Sequence, residues 1–169
     1  TNNSANTSYG KRDDTVTLTF KTSEPIQAPT ASDVTLGSLT DVTITPLDDE
    51  GKEWKATGTV PDSANGNASF SITVLDNAGN SGSPETTTTD GTSVTLDTTA
   101  PTLSDFVLAS TNAKDSTRLA KADDDLTLTF ISSEAIPAPT ITLAGASVTA
   151  TDTSGNGTDW QAVHTVDSS

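Results

Sequence analysis

The sequence predicts an all-β chain whose short strands pack as a sandwich, and three observations carry that prediction. Apolar and polar residues alternate with period two in several stretches. Clusters of Asn, Asp and Gly separate those stretches, and no convincing helical stripe longer than two turns occurs. Period two places the apolar side chains of a strand on one face. Threonine fills the other face, where its β-branch suits a pleated surface and its hydroxyl meets water.

The elements follow in order. Residues 15–20 read TVTLTF, and residues 41–45, 68–74, 92–96 and 125–130 repeat the alternation. Residues 103–108 and 160–166 complete the set of expected strands. Asn65-Gly66-Asn67, the run from Asp76 to Asn80, Asp90-Gly91 and the run from Ser154 to Gly157 supply turns, because Asn, Asp and Gly tolerate left-handed backbone. Short strands at this spacing point to a sandwich.

Composition sets the limits. The 169 residues carry 23 acidic and 8 basic side chains, a net charge of −15, one histidine, no cysteine and no methionine. Leu, Ile, Val and Phe total 32, about 19%, while Ser and Thr total 54. Low apolar content with high net charge borders on the composition of disordered chains. The periodicity argues for order, since a strand with one solvated face needs few apolar residues. Without cysteine there is no disulfide framework, thiol catalysis or Cys-ligated metal. No apolar run approaches the ~20 residues that span a bilayer, so no membrane insertion is expected. The acidity argues against a nucleic-acid partner.

Shifted by 110 positions, the sequence matches itself. Residues 11–30 read KRDDTVTLTFKTSEPIQAPT and residues 121–140 read KADDDLTLTFISSEAIPAPT, identical at 13 of 20 positions. Trp54, Ala56, Thr59 and Val60 align with Trp160, Ala162, Thr165 and Val166 after a small deletion. Such a period fits one sandwich domain. The expected organisation is one repeat over 1–99 that lacks its first strand and a second over 100–169 that lacks its last strands, a window on a longer array. Exchange of strands between neighbouring molecules is the other account of the incomplete copies. The boundary from Asp97 to Pro101 is short and marked by proline.

The strings SITVLDNAGN, TTDGTSVTLDTTAPTL, LTLTF-x-SSE and WxAxxTV resemble tandem immunoglobulin-like repeats of very large secreted proteins, best known from bacterial adhesins and biofilm proteins. The resemblance covers essentially the whole chain. It implies tandem immunoglobulin-like Greek-key β-sandwiches, an extracellular or cell-surface location, and roles as spacers, binding modules or filament building blocks. It implies no catalytic role. The residues agree: His164 is the sole histidine, and its counterpart in the first copy is Gly58. No zinc ligand set, Walker motif or dinucleotide fingerprint occurs. Trp54 and Trp160 match across the copies and read as core residues more readily than as sugar-stacking platforms.

The remaining signal is the placement of acids. In a Greek-key sandwich, Glu24, Asp76, Asn77 and Asn80 fall at the pole where the first strand begins. Asp13, Asp14 and Asp97 fall at the opposite pole, and Glu134 of the second copy faces Asp97 across the linker. Ca²⁺ takes six to eight oxygens from carboxylates, amides and water. These eight residues are therefore candidate ligands of a rigidifying calcium ion. The competing reading is a solvated acidic surface that keeps the protein soluble. The run Asp123-Asp124-Asp125 reads as a hydrated loop. Asn2, Asn6, Asn67 and Asn156 begin glycosylation sequons at about the frequency expected by chance.

The leading expectation is a structural segment of a long extracellular repeat protein, either an adhesin stalk or a cell-surface filament subunit. Its partners would be neighbouring immunoglobulin-like repeats or like subunits. The alternative is an adhesion module that binds carbohydrate, such as surface glycans, or protein.

Overall fold

The computed structural model describes residues 1–168, and none of them is helical. The chain divides into two compact units, Thr1–Thr99 and Ala100–Ser169. Unit 1 contains β1 (Tyr9–Gly10), β2 (Thr15–Lys21), β3 (Val34–Thr35), β4 (Thr40–Pro46), β5 (Glu53–Thr59), β6 (Gly66–Asn67), β7 (Ser71–Ile72) and β8 (Thr95–Leu96). Unit 2 contains β9 (Leu103–Ser110), β10 (Asp125–Ser132), β11 (Thr140–Leu143), β12 (Ala146–Thr149), β13 (Thr151–Asp152) and β14 (Asp159–Thr165).

In unit 1, β5 lies between β2 and β4 and is antiparallel to both. The register sets Phe20 opposite Trp54, Leu18 opposite Ala56 and Val16 opposite Gly58. Trp54, Ala56 and Gly58 are the buried positions of β5, so the period-two pattern does select the inward face. The opposing layer is built from short ladders. β3 pairs with β7, and β8 pairs with β6 and, in parallel, with β1. Val16 and Ala56 from one layer meet Val34, Ile72 and Leu96 from the other in a single core with Leu36, Leu39 and Val60. Two facing layers thus enclose the apolar side chains.

In unit 2, β14 lies between β13 and β10, and β9 covers the outer edge of β10. β11 and β12 form a hairpin through Ala144 and Gly145, whose φ values of 51° and 86° suit a two-residue turn matched to strand twist. Phe130, Ala150, Trp160 and Ala162 form the buried core, flanked by half-buried Leu128, Ile136, Ile141 and Val148.

Two stretches differ from the expected pattern. Of residues 68–74 and 92–96, only Ser71–Ile72 and Thr95–Leu96 form ladders. Their partners change along the chain: Ile72 bridges both Val34 and Glu85, and Ala68 donates its N–H to Val94. Gly66–Asn67, expected as a turn, pairs with β8.

Gly58 shows how tightly the layers of unit 1 approach. A Cβ there would lie 2.9 Å from Leu39 Cβ and 3.3 Å from Leu36 Cδ1. Gly58→Ala is expected to destabilise unit 1 by about 1–3 kcal/mol through overpacking. Urea unfolding that shows a lower midpoint at unchanged slope would bear this out.

Candidate functional site: the carboxylates

The two ends of β2 carry most of the candidate ligands. At its start, a turn folds Lys11 back on Asp14. The Asp14 carboxylate accepts the Lys11 backbone N–H at 2.9 Å and the ammonium Nζ at 2.7 Å. The carboxylate is buried, with its side chain only 7% exposed. Asp13 sits at φ 65° on the outside of the same turn, with Arg12 Nε 3.5 Å away. Arg12 Nε lies closer to Asp62, at 2.7 Å. Asp97 follows β8, which runs beside β1. Its N–H bonds Gly10 O at 2.9 Å, and its Oδ1 caps Thr99 N–H at 3.1 Å. Asp13, Asp14 and Asp97 therefore share one end of unit 1.

The other end of β2 holds Glu24 and the loop from Asp76 to Asn80. Asp76 Oδ1 accepts the N–H groups of Ala78 and Asn80, each at 2.8 Å. Its Oδ2 accepts Asn80 Nδ2 at 2.7 Å. Gln27 Nε2 donates to Asp76 O at 2.9 Å and ties the loop to the chain after Glu24. Glu24 is exposed and offers its main-chain carbonyl to Thr22 Oγ1 at 2.7 Å. Asn77 lies exposed in the loop. In unit 2, the half-buried Glu134 offers its carbonyl to Ser132 Oγ at 2.6 Å.

Among the described residues, no group of three or more His, Asp or Glu side chains stands close enough together to hold a metal ion. The aspartate oxygens serve another task, which is to satisfy backbone N–H groups in turns. Their protonation follows. The Lys11 side-chain hydrogen bond holds the Asp14 carboxyl below the usual aspartate range, against the opposing effect of burial. Asn80 does the same for Asp76, first through its side chain and then through its backbone N–H.

One expectation needs correction. The run Asp123-Asp124-Asp125 is not uniformly hydrated. Asp123 is exposed at φ 67°, but Asp124 is 5% exposed. Asp124 accepts Lys121 N–H at 2.9 Å, Lys121 Nζ at 3.1 Å and Asn112 Nδ2 at 2.8 Å. Asp125 opens β10 and accepts Thr165 Oγ1 at 2.6 Å. The Lys121 backbone donor, then Asn112, lowers the Asp124 pKa. A feature absent from the sequence reading is Asp152. Its two oxygens take the N–H groups of Ser154 and Gly155, both at 3.0 Å, and of Gly157 at 2.7 Å. Burial pushes its pKa up, but these donors outweigh it and hold the group low. Its signal was an aspartate closing a strand just before Ser154-Gly155-Asn156-Gly157.

The remaining candidates are quickly placed. His164 is half-buried and lies opposite Leu126 on the face of β14 shared with Ala162. Trp54 and Trp160 are 6% and 4% exposed, and each indole N–H donates 3.2 Å to a glycine carbonyl, Gly51 and Gly157. Neither tryptophan is open for stacking on a sugar. No family model and no curated protein matches the chain.

Asp14→Ala is expected to cost about 1–3 kcal/mol at pH 7, because the Lys11 N–H loses a charged acceptor. The folded-state pKa is lowered, so the unfolded chain binds the proton more tightly, and this stability is full above the unfolded pKa. It is lost as pH falls through the folded value. Urea midpoints measured from pH 7 to pH 2 should converge for the two proteins at the acid end.

Proposed function

We propose that this chain is a structural segment of a long extracellular repeat protein, an adhesin stalk or a cell-surface filament subunit. The observation that supports the reading is that the two units share chemical detail as well as sequence. Lys11 and Asp14 recur as Lys121 and Asp124, each backbone N–H bonding its carboxylate at 2.9 Å. The indole bonds of Trp54 and Trp160 are both 3.2 Å. Asp13 and Asp123 adopt φ of 65° and 67°. Repetition of a self-contained module, with its stabilising devices included, is what a chain built for length requires. The reading assigns no catalytic residue. Glycan binding has less support, because both tryptophans are buried and Tyr9 alone among Tyr and Trp is exposed.

Calcium enters this reading as a bound, rigidifying ion, with Asp13 and the other carboxylates named above as its candidate ligands. Melting should then rise in several millimolar CaCl₂ over an EDTA control at matched ionic strength. Equal melting temperatures would remove calcium from the proposal and leave the acids as a solubilising surface.

The structural role has a direct test in the source cells. Antibodies against the chain should label unpermeabilised cells, and the native polypeptide should run far above 17.3 kDa. Label confined to permeabilised cells, or a native polypeptide of that mass, would overturn the reading.

A further inference from the structure

The dipeptide Asn-Gly occurs twice in the chain, at Asn65-Gly66 and at Asn156-Gly157. In this dipeptide the asparagine side chain is readily attacked by the next backbone nitrogen, because glycine has no Cβ to obstruct the approach. Both asparagines are exposed, so water reaches both. The fold treats them differently.

Gly66 belongs to β6 and lies opposite Leu96. Ala68 N–H donates to Val94 O, so the Gly66–Leu96 pair two residues along is hydrogen-bonded as well. The Gly66 nitrogen is thus committed to a neutral carbonyl within a ladder. The Asn65 carboxamide is tied to residues far along the chain, with Oδ1 accepting Thr98 N–H at 3.0 Å and Thr99 Oγ1 at 3.4 Å.

Asn156-Gly157 lies in the loop between β13 and β14. Asn156 Oδ1 accepts Thr158 N–H at 3.0 Å, an Asx-turn that folds the carboxamide over the peptide bond to Gly157. Thr158 Oγ1 stands 2.6 Å from the same oxygen, and Ser154 Oγ bonds it too. These donors face the oxygen on which negative charge develops when the carboxamide carbon is attacked. Gly157 N–H carries the proton that must leave the attacking nitrogen. It donates to Asp152 Oδ2 at 2.7 Å, within the reach required of a base. Asn156 Nδ2, the nitrogen that departs, meets no acceptor among the described residues.

We propose that this loop is a self-modifying site, at which Asn156 deamidates through a cyclic imide and so loosens unit 2. Gly157 N bonds to Asn156 Cγ while its proton passes to Asp152 Oδ2. The Cγ–Nδ2 bond then breaks, and the departing nitrogen takes up that proton and leaves as ammonia. Water opens the imide at either carbonyl and yields aspartate or isoaspartate. Water is the only co-reactant. The chemistry needs no partner and is independent of the structural role proposed above.

The product matters because of what Gly157 holds. Its carbonyl accepts the Trp160 indole N–H at 3.2 Å and Ile136 N–H at 3.0 Å. The imide removes the N–H that Asp152 binds, and isoaspartate lengthens the main chain by one carbon at this point. Both changes displace the carbonyl that anchors Trp160. Unit 1 is exempt. Its Trp54 bonds Gly51 O, and the residue before that glycine is Glu50, also exposed but with no amide to lose. One of two matched modules therefore carries a chemical clock and the other does not.

The experiment holds the full chain at neutral pH and follows both sites over days by peptide mapping, with fragmentation that tells isoaspartate from aspartate. In the folded chain Asn156 should convert at least about tenfold faster than Asn65, and in urea the two rates should come together. Thr158→Val removes one donor to the oxyanion and should slow Asn156 about threefold or more while leaving Asn65 unchanged. Converted protein should unfold at lower urea than Asn156→Gln kept for the same time, since the longer side chain cyclises poorly. The wild-type chain, folded against unfolded, decides the matter even if a variant misfolds. Equal rates at the two sites in the folded chain, faster conversion at Asn65, or an Asn156 that reacts only after unfolding would each overturn the proposal. So would a folded Thr158→Val that reacts at the wild-type rate, or converted protein as stable as the Asn156→Gln control.

Discussion

Everything in unit 1 depends on the register of β2 against β5. A slip of one residue would turn Val16, Leu18 and Phe20 to solvent and three polar side chains to the core. Two anchors prevent it. At one end, the turn closed by Lys11 and Asp14 aligns Asp14 O with Val60 N–H and Asp13 N–H with Val60 O. At the other, the Trp54 indole folds over the connection from β4 and bonds Gly51 O. The same carbonyl takes Ile26 N–H, so the strand that leaves β2 is fixed by the group that holds the tryptophan. Unit 2 repeats the arrangement with Trp160, Gly157 and Ile136.

This arrangement explains how so acidic and so sparingly apolar a chain folds. Its aspartates are not a uniform anionic surface. Asp14, Asp76, Asp124 and Asp152 accept two to four donors each. No buried side-chain polar atom among the described residues lacks a partner. Turns closed in this way need no apolar residues of their own, which leaves the alternating positions of β2, β5, β10 and β14 to make the core. The exposed ion pairs, such as Lys21 with Glu53, add little beside this, because solvent screens them.

The strand pattern was readable where one partner runs the full length of a strand. TVTLTF lies along β5 and DLTLTF along β14 over its full length, so alternation translates into ladder. SFSITV alternates as well, but its chain passes several short neighbours, and only Ser71–Ile72 forms a ladder. Alternation records which face is buried, and it does not record how long a partner stays alongside. The aspartates were harder to read for a related reason. A carboxylate that caps a turn takes its donors from backbone N–H groups a few residues away, and every residue except proline carries one. Asp123, Asp124 and Asp125 are identical in composition yet are respectively exposed, buried and strand-bonded. The core placement of Trp54 and Trp160 was legible, because a matched residue on matched apolar strands shares the burial of its neighbours.

The β4 edge of unit 1 and the acidity of the chain act in the same direction. An edge with a bulge and a terminal proline is built to remain an edge. Net charge of −15 opposes casual aggregation at such an edge, since two copies repel unless the contact repays the approach. Acidity and a blocked edge therefore work together, with repulsion keeping copies apart and the bulge and proline denying them a ladder to join.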